Sequence, residues 1–540
     1  MTVSSLAEYD PVAYGGRFQI LPNSFSFHRQ YAQIYTARLA TAKPVLTMLA
    51  ERKWTTSSSK GATASHFPTR ALTDLITDEM CVIIGTVFKE MRLKPSVLRD
   101  IAAAETGNVA SDNHIASTDT QFIVRLTSDD DSLFLEDEVQ RINLCFTSQS
   151  SKLWPQANLV TGVVIAVLGR EPESQPGTFY VEDIMFLEPQ PEKPIQTHGV
   201  LHADVNSTIL HNSGPWLGVV CGLGFTGSGQ VKPGHAMALQ LLADWIRCMG
   251  DFDGSVESHT NSGLVRLLIL GDSIRSTGST TNEDSDKCTP AMRLTQRARY
   301  LTRNADAETV TAMARLDQWL ASLPIGPGCS TDGTAVNGVA IDLLPGPSDP
   351  TSVLMPQQPI HSAALPCAVS RSGGIGSRNL CGRTNPYSCM LGSRHILATS
   401  GQGVNELYRY TKLENGCDRM EATLLWGHLA PTCPDTLGGY PMNNNDPLLL
   451  KPFFSTASSR NCSPDYPDIY IAGCQPKERP SWRRARLHWN EEIGADNAGA
   501  LLVSVPRFDS SYSIVLINLK SLECRVVHFD MSSLDEENNC

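Results

Sequence analysis

Three side chains able to bind a metal or exchange a proton follow apolar, strand-like runs in the second half of the sequence. Asp272 follows LLIL at 267–270, His428 follows TLLW at 423–426, and Cys474 follows PDIYIA at 467–472. Sites in α/β proteins form outside the carboxyl ends of strands, so these residues are candidates for one site. Each also has an ordinary interpretation. Aspartate often caps the next element, and a hydrogen-bonded structural histidine is the favoured interpretation of His428 alone.

A glycine-rich turn, GLGFTG at 222–227, matches the GxGxxG pattern of dinucleotide sites and lies between a predicted strand and a predicted helix. The rest of that pattern is missing. The helix begins only after Lys232 and Pro233, and Asp244 lies inside the amphipathic stretch LQLLADWI instead of ending a second strand. The stretch therefore predicts a turn and no nucleotide cofactor.

The stretch GVAIDLLPGPSDP at 338–350 is an apolar strand that stops at Pro345 and Gly346. In metal-dependent phosphoesterases, a strand that ends this way supplies an Asn-His pair to two metal ions. Pro347 and Ser348 stand where that pair would be. The chain is therefore either an enzyme with an unusual site or a protein that has an enzyme's fold and a different function.

Two patterns of elements follow each other along the chain. A helix is predicted within 25–50, and short strands with an internal glycine indicate a small barrel. Strands that then alternate with helices indicate a layered α/β domain, so the whole is an α+β chain of several domains. The predicted barrel strands are 81–88, 122–124, 133–135, 139–146, 159–168 and 179–186; the later helices are 234–249 and 305–323; the later strands are 217–221, 264–270, 339–344, 393–398, 423–426, 467–472, 501–505, 513–518 and 525–529.

Composition excludes several classes of protein. The 540 residues carry a net charge of −12, which argues against unaided nucleic-acid binding because phosphate contacts need a basic face. No apolar run is long enough to span a membrane, and the N-terminus lacks the pattern of a secretory signal. The 15 cysteines include no CxxC pair, so we expect free, mostly buried thiols in a reducing compartment.

Two basic stretches could still contact nucleic acid. The run KERPSWRRAR at 477–486 places Trp482 among charges, although a solvated loop is the favoured interpretation. In the barrel the best cluster is Phe88, Lys89, Arg92 and Lys94. For the barrel we favour packing against protein, with DNA contact weak or indirect.

Several segments resemble, in order, the small (B) subunit family of eukaryotic DNA polymerase delta. They include FHRQYAQIYTARL, LLILGDSIRS, PQQPIH, TNPY, TSGQ and APTCPDTLGGYP. The resemblance implies an OB-fold β-barrel at 70–190 after an N-terminal helix and linker at 1–69. It further implies a linker at 191–215 and a calcineurin-like, inactive phosphodiesterase α/β sandwich at 216–540.

The resemblance also implies where a vestigial metal site would lie. Active relatives hold two metal ions with DxH, GD, GNHD, lone-His and GHxH motifs. Carried over residue by residue, two positions keep a ligand and six lose theirs. The kept ligands are Asp272 and His428; the substituted positions are Gly222, Gly224, Pro347, Ser348, Cys474 and Pro476. Two ligands cannot assemble a binuclear centre, so we expect no catalytic residue, no metal, no cofactor and no phosphodiesterase activity.

The family's role is that of a non-catalytic accessory subunit in DNA replication and repair synthesis in the nucleus. The implied partners are the cysteine-rich C-terminal module of the polymerase delta catalytic subunit and a third subunit that reaches the sliding clamp. Two alternatives stay open at this point. One is the B-subunit of polymerase alpha or epsilon, and the other is an active metal-dependent phosphodiesterase.

Overall fold

The protein is described by a computed structural model. The described residues are 9–10, 16–21, 26–28, 31–56, 65–94, 125–147, 150, 155–187, 215–227, 233–248, 264–275, 303–326, 338–442, 445–450, 466–477, 479–485 and 499–529. Most of the predicted linker 191–215 lies outside them, as do the predicted strand 122–124 and the stretch 103–121, which is predicted as a surface insertion between strands.

The N-terminal part consists of strand β1 (Tyr9–Asp10) and helix α1 (Ala32–Lys53). Along α1, Ile34, Leu39 and Leu46 are buried at helical spacing. This confirms the helix predicted from the same periodicity. The buried face of α1 packs mainly on two barrel strands.

Eight strands follow, and the five longest close a barrel. The order around the ring is β5-β6-β7-β9-β8 and back to β5, with β7 and β9 parallel and the other neighbours antiparallel. Phe179, Val181 and Ile184 of one strand point into the core. The predicted barrel of short strands is thus confirmed. The strands are β2 (Thr55–Thr56), β3 (Ser65–His66), β4 (Thr69–Arg70), β5 (Cys81–Glu90), β6 (Ser132–Glu136), β7 (Arg141–Phe146), β8 (Val164–Arg170) and β9 (Thr178–Phe186).

The rest of the described chain forms two six-stranded sheets with helices. In chain order the elements are β10 (Trp216–Val220), α2 (Pro233–Cys248), β11 (Leu264–Leu270), α3 (Arg303–Ser322), β12 (Ala340–Leu344), α4 (Pro366–Arg371), β13 (Leu380–Gly382), β14 (Tyr387–Leu391), β15 (Arg394–Thr399), α5 (Gln402–Tyr410), α6 (Gly416–Leu425), β16 (Ile469–Gln475), β17 (Ser481–Arg484), β18 (Leu501–Pro506), α7 (Phe508–Ser511), β19 (Ser513–Asn518) and β20 (Cys524–His528).

The two sheets pack face to face. One has the order β1-β14-β15-β16-β18-β17, the other β13-β12-β11-β10-β19-β20. Leu217 and Leu268 of the second sheet share a core with Ile396 and Ile471 of the first. Helices α2 and α3 share a separate core with the second sheet, and α6 packs on β16, β17 and β18 of the first. The parallel strands β10, β11 and β12 therefore end together at one rim of the sandwich.

Two predictions about elements are wrong. The run 423–426, predicted as a strand, lies in and just after helix α6, where the Thr423 hydroxyl donates to the Met420 carbonyl. Four apolar residues fit a buried helix turn as well as a strand, and only the surroundings decide. The basic run at 477–486 contains the strand β17 instead of a solvated loop, because Ser481–Arg484 pairs with β18.

Two compositional predictions can be compared with the described residues. The ten cysteines described there are all free, as predicted, but only five of them are buried, so the expectation of mostly buried thiols holds for half of them. Among the helices described, none combines the length and the hydropathy that crossing a bilayer requires.

Candidate functional site

The rim where strands β10, β11 and β12 end brings together several of the predicted site positions. The Gly222 N–H donates to the Gly271 carbonyl at 2.9 Å, so the turns after β10 and β11 stay paired. The Ser348 N–H donates to the Asp272 carboxylate at 3.0 Å, which joins the turn after β12. Cys474 comes from the first sheet, and its thiol lies 3.9 Å from the Gly271 carbonyl. We call this group the strand-end cluster.

Asp272 is the buried carboxylate of the strand-end cluster, 4% exposed and with a backbone φ of 50°. One of its oxygens accepts the Ser348 N–H, and the other accepts a hydrogen bond from the Arg507 guanidinium. Arg507 also donates from Nε and Nη2 to the two oxygens of Asp509, at 3.0 Å each. An arginine between two carboxylates therefore occupies this rim.

Arg507 and Asp509 also fill the space that two of the expected ligands would need. A Cβ added to Gly222 would lie 2.8 Å from the Arg507 Cβ, and one added to Gly224 would lie 2.8 Å from an Asp509 oxygen. Both glycines have positive φ, 62° and 67°, which side chains rarely adopt. Neither position therefore has room for a side chain that could bind a metal.

Neither Arg507 nor Asp509 was predicted as a site residue. They follow β18 in the stretch PRFDSS, so an Arg-x-Asp pair directly after an apolar strand was the available signal. Burial opposes the charge of Arg507, but its hydrogen bonds to Asp509 and the negative charges of Asp509 and Asp272 raise its pKa overall. The guanidinium is therefore a permanent internal cation.

Asp349 is a second buried carboxylate of the cluster that was not predicted. Its oxygens accept the N–H groups of Ile274 at 3.1 Å and Gly346 at 2.7 Å. Burial, followed by the charge of Asp272, raises its pKa to about 7. Asp349 thus ties the turn after β12 to the turn after β11 by main-chain hydrogen bonds.

Cys474 and Pro476 stand where the resemblance implies the last pair of histidines. The Cys474 N–H donates to the Cys221 sulfur at 2.9 Å. The hydrogen bond between the two thiols, followed by burial, raises the pKa of Cys474, so it is not a thiolate ligand. Pro476 is exposed and follows the end of β16, and Pro347 is half-buried.

A network of neutral amides lies next to the cluster and links the motifs PQQPIH, TNPY and TSGQ. The Asn385 amide donates to Ser400 at 2.6 Å and to Gln402 at 2.7 Å, and its oxygen accepts the Ser400 N–H at 3.0 Å. Gln402 donates to Gln357 at 3.0 Å, and Gln357 donates to the Gly346 carbonyl at 2.8 Å. The three motifs therefore form a hydrogen-bonded contact between the sheets.

His428 does not join the strand-end cluster through any hydrogen bond of the described residues. It is 1% exposed, its Nδ1 accepts the Ala430 N–H, and its Nε2 donates to Asp446 at 2.8 Å. Gly271 instead packs beside Ser400 and Gly346. A Cβ added to Gly271 would lie 2.7 Å from the Ser400 Cβ and 2.7 Å from the Gly346 Cα. His428 is therefore buried and hydrogen-bonded through both ring nitrogens, as a structural histidine would be.

Asp446 also binds Arg38, so His428 belongs to a second cluster, which we call the interdomain clamp. Arg38 of α1 pairs with Asp446 at 2.7 Å and donates to three carbonyls, those of Gly162 in the barrel at 2.8 Å, Pro431 at 3.0 Å and Cys433 at 2.8 Å. Burial and the Arg38 charge lower the pKa of His428 to about 4, so the imidazole is neutral. The clamp joins α1, the barrel and the two-sheet domain.

Lys89, predicted within a possible nucleic-acid cluster, also lies between the barrel and the two-sheet domain. It is 3% exposed, and its ammonium donates to Thr127 at 2.9 Å and to the Tyr410 carbonyl at 3.0 Å. Burial lowers its pKa to about 8. The exposed neighbours Arg92 and Lys94 pair with carboxylates, those of Asp130 and Asp435.

A pair of metal ions does not fit the residues of the strand-end cluster. A catalytic zinc needs three protein ligands, and a binuclear centre needs more. Here the Asp272 oxygens are engaged by Arg507 and Ser348, and the glycine positions are filled. Within the described ranges, no group of three or more His, Cys, Asp or Glu side chains could hold a metal ion. The arrangement holds the ends of strands β10, β11 and β12 together.

Comparison with known proteins identifies relatives along nearly the whole chain. Residues 30–184 match the family model of the DNA polymerase delta subunit OB-fold domain, and residues 217–479 match the family model of the DNA polymerase alpha/epsilon B-subunit. The chain is 31% identical over 513 residues to DNA polymerase delta subunit 2 of Drosophila melanogaster, covering 94% of this chain and 95% of the relative.

More distant relatives cover the chain to a similar extent. The DNA polymerase delta small subunit of Arabidopsis thaliana is 28% identical over 516 residues, covering 95% of this chain and 94% of the relative. That of Saccharomyces cerevisiae is 25% identical over 538 residues, covering 95% and 92%. The match to residues 30–184 confirms the predicted OB-fold.

Proposed function

The chain belongs to the family of DNA polymerase delta small subunits and is an accessory subunit of that polymerase, and from this we propose that it acts as a non-catalytic scaffold. The observation that carries the proposal is the position of Arg507. Its guanidinium lies between Asp272 and Asp509 at the rim where a phosphodiesterase would hold its ions. Because side chains of the chain itself fill that rim, the chain works through contact surfaces.

The two-sheet domain is, in this proposal, an inactive calcineurin-like phosphodiesterase fold. Two packed sheets flanked by helices, with site positions at the ends of parallel strands, support this assignment. The domains would be an N-terminal helix and linker at 1–69, an OB-fold at 70–190, a linker at 191–215 and the inactive domain at 216–540. Gly222, Gly224, Asp272, Pro347, Ser348, Cys474 and Pro476 are the proposed vestigial positions at its rim, and His428, the eighth, lies in the interdomain clamp.

We further propose that the scaffold bridges two other polypeptides in the nucleus. One is the cysteine-rich C-terminal module of the catalytic subunit, and the other is a third subunit that reaches the sliding clamp. A bridge needs a fixed distance between its binding surfaces. The interdomain clamp and Lys89 support such rigidity, because both tie the barrel to the two-sheet domain through buried, charge-assisted hydrogen bonds.

The alternative assignments receive less support. The polymerase delta small subunits cover more than 90% of this chain, which favours delta over the B-subunits of alpha and epsilon. An active phosphodiesterase would need ligands at Gly222 and Gly224.

Two experiments test the proposal. The full-length protein is incubated with manganese and bis(p-nitrophenyl) phosphate or single-stranded DNA, and we expect no hydrolysis above that of an Asp272→Asn variant. Metal-dependent hydrolysis that Asp272→Asn abolishes would overturn the non-catalytic assignment.

In the second experiment, the immobilised C-terminal module of the catalytic subunit should retain the chain, and a module without its cysteines should retain less. Equal retention on both would contradict the proposed bridge.

A further inference from the structure

Strand β17 lies at the edge of the first six-stranded sheet. The sheet order ends at β17, and β18 is the strand that pairs with it, antiparallel, within the described part of the chain. An edge strand presents main-chain N–H and C=O groups that can template pairing with another chain. This strand is the structured part of the basic run, and neither the strand-end cluster nor the interdomain clamp uses it.

The register of β17 shows which main-chain groups point outward. Ala485 donates to the Ala500 carbonyl at 2.9 Å, and Arg483 lies opposite Leu502 two residues earlier. Hydrogen-bonded pairs alternate along an antiparallel ladder, so Arg483 bonds to β18. The N–H groups of Trp482 and Arg484 and the Trp482 carbonyl therefore point away from the sheet, at the two-residue spacing that an added strand uses, while the Arg484 carbonyl already accepts a hydrogen bond from Arg483 Nη1 at 3.1 Å.

The side chains of β17 suit an acidic partner with an apolar residue. The Trp482 side chain is 41% exposed. Lys477 and Arg479 are exposed just before the strand. Arg483 is already paired with Asp418 at 2.8 Å and Glu421 at 2.6 Å. The edge therefore offers a large aromatic face next to two exposed basic residues, Lys477 and Arg479.

Arg484, the last residue of β17, is half-buried, and its guanidinium interacts with groups of this chain. Its guanidinium donates to the Gly499 carbonyl at 3.2 Å, and burial together with the charge of nearby Arg394 lowers its pKa. Arg394 and Arg484 both interact with the carboxylate of Asp468. The whole chain carries a net charge of −12, so a basic edge is unusual on this protein.

We propose that β17 is a docking edge for an extended acidic segment of another protein, which pairs with Trp482 and Arg484 and adds a seventh strand to the sheet. Main-chain hydrogen bonds supply the pairing, Trp482 supplies apolar contact, and the basic groups select acidic residues. A single nucleic-acid strand could also stack on Trp482. The outward N–H and C=O groups at strand spacing favour a peptide. The proposal does not depend on the proposed function.

The test uses the full-length chain as bait for a phage-displayed library of random peptides of about twelve residues. Four variants accompany it. Trp482→Ala removes the aromatic contact, and Val526→Ala is the matched control, since Val526 is 39% exposed on the edge strand β20 of the other sheet. Arg484→Pro removes an outward N–H and a charge, whereas Arg484→Gln removes the charge alone. Binding of an enriched peptide and of oligothymidine is then measured by fluorescence anisotropy.

We expect enriched peptides that are acidic and free of proline. Their affinity should fall about tenfold or more with Trp482→Ala and stay unchanged with Val526→Ala. Arg484→Pro should weaken binding more than Arg484→Gln, because only proline blocks the main-chain bond. The proposal is overturned if no enriched peptide depends on Trp482, if proline and glutamine act alike, or if oligothymidine alone shows the dependence on Trp482.

Discussion

Removing the Arg507 guanidinium tests whether it is the structural counter-ion of the strand-end cluster. In Arg507→Ala, the side chains of Asp272 and Asp509, only 5% and 7% exposed, lose their shared cation. Removing one partner of a buried ion pair costs about 3–5 kcal/mol because a buried charge is left unpaired. The Arg507 side chain is 29% exposed, so we expect a loss of about 3 kcal/mol in the free energy of unfolding.

The assay is urea unfolding of the full-length protein at pH 8, followed by tryptophan fluorescence and circular dichroism. The matched control is Arg525→Ala, which removes an arginine paired with Glu523 where the side chains are 33% and 45% exposed. Surface pairs of this kind contribute at most about 1 kcal/mol. Manganese, added as a cation to replace the missing guanidinium, gives a second measurement. At about 100 times its Kd, a ligand that binds only the folded protein raises the free energy of unfolding by about 2.7 kcal/mol. Manganese should stabilise Arg507→Ala and leave the unsubstituted protein unchanged.

Two results would refute this reasoning. One is a loss of stability in Arg507→Ala no larger than that in Arg525→Ala. The other is equal stabilisation of Arg507→Ala and the unsubstituted protein by manganese.

Three further predictions concern the interdomain clamp and the glycine positions. Arg38→Ala should destabilise the protein by about 3–5 kcal/mol and speed hydrogen exchange in α1; unchanged exchange there would contradict the clamp. The pKa of His428 is lowered to about 4, so the unfolded chain binds its proton first as the pH falls. In urea titrations, the free energy of unfolding of the unsubstituted protein should therefore fall by about 3 kcal/mol relative to that of His428→Gln between pH 6.5 and 4. A difference between the two proteins that does not change with pH would argue against a neutral buried imidazole. Gly224→His should cost about 2 kcal/mol through strain without creating a metal site; manganese binding in calorimetry would show that room remained beside Asp509.

The elements built from regular local patterns were predictable from the sequence. Strand β19 has the predicted bounds, and the helix near residue 32 and the barrel strands follow from periodicity. The substitutions at Gly222 and Gly224 were also readable, because a side chain that is missing from the sequence cannot bind a metal. Periodicity failed where a run was too short, as at 423–426, which contributes to helix α6.

Only the tertiary structure shows which side chains occupy the strand-end cluster. Arg507 is 235 residues from Asp272 along the chain, and Arg38 is 408 residues from Asp446. Nothing local in the sequence marks these pairs, because the energy of a buried charge depends on which groups the fold brings within a few ångströms of it. His428 shows the same limit. Its position in the sequence favoured a structural histidine, whereas the family resemblance implied a ligand at the rim. Packing placed it beside Asp446, where burial keeps it neutral.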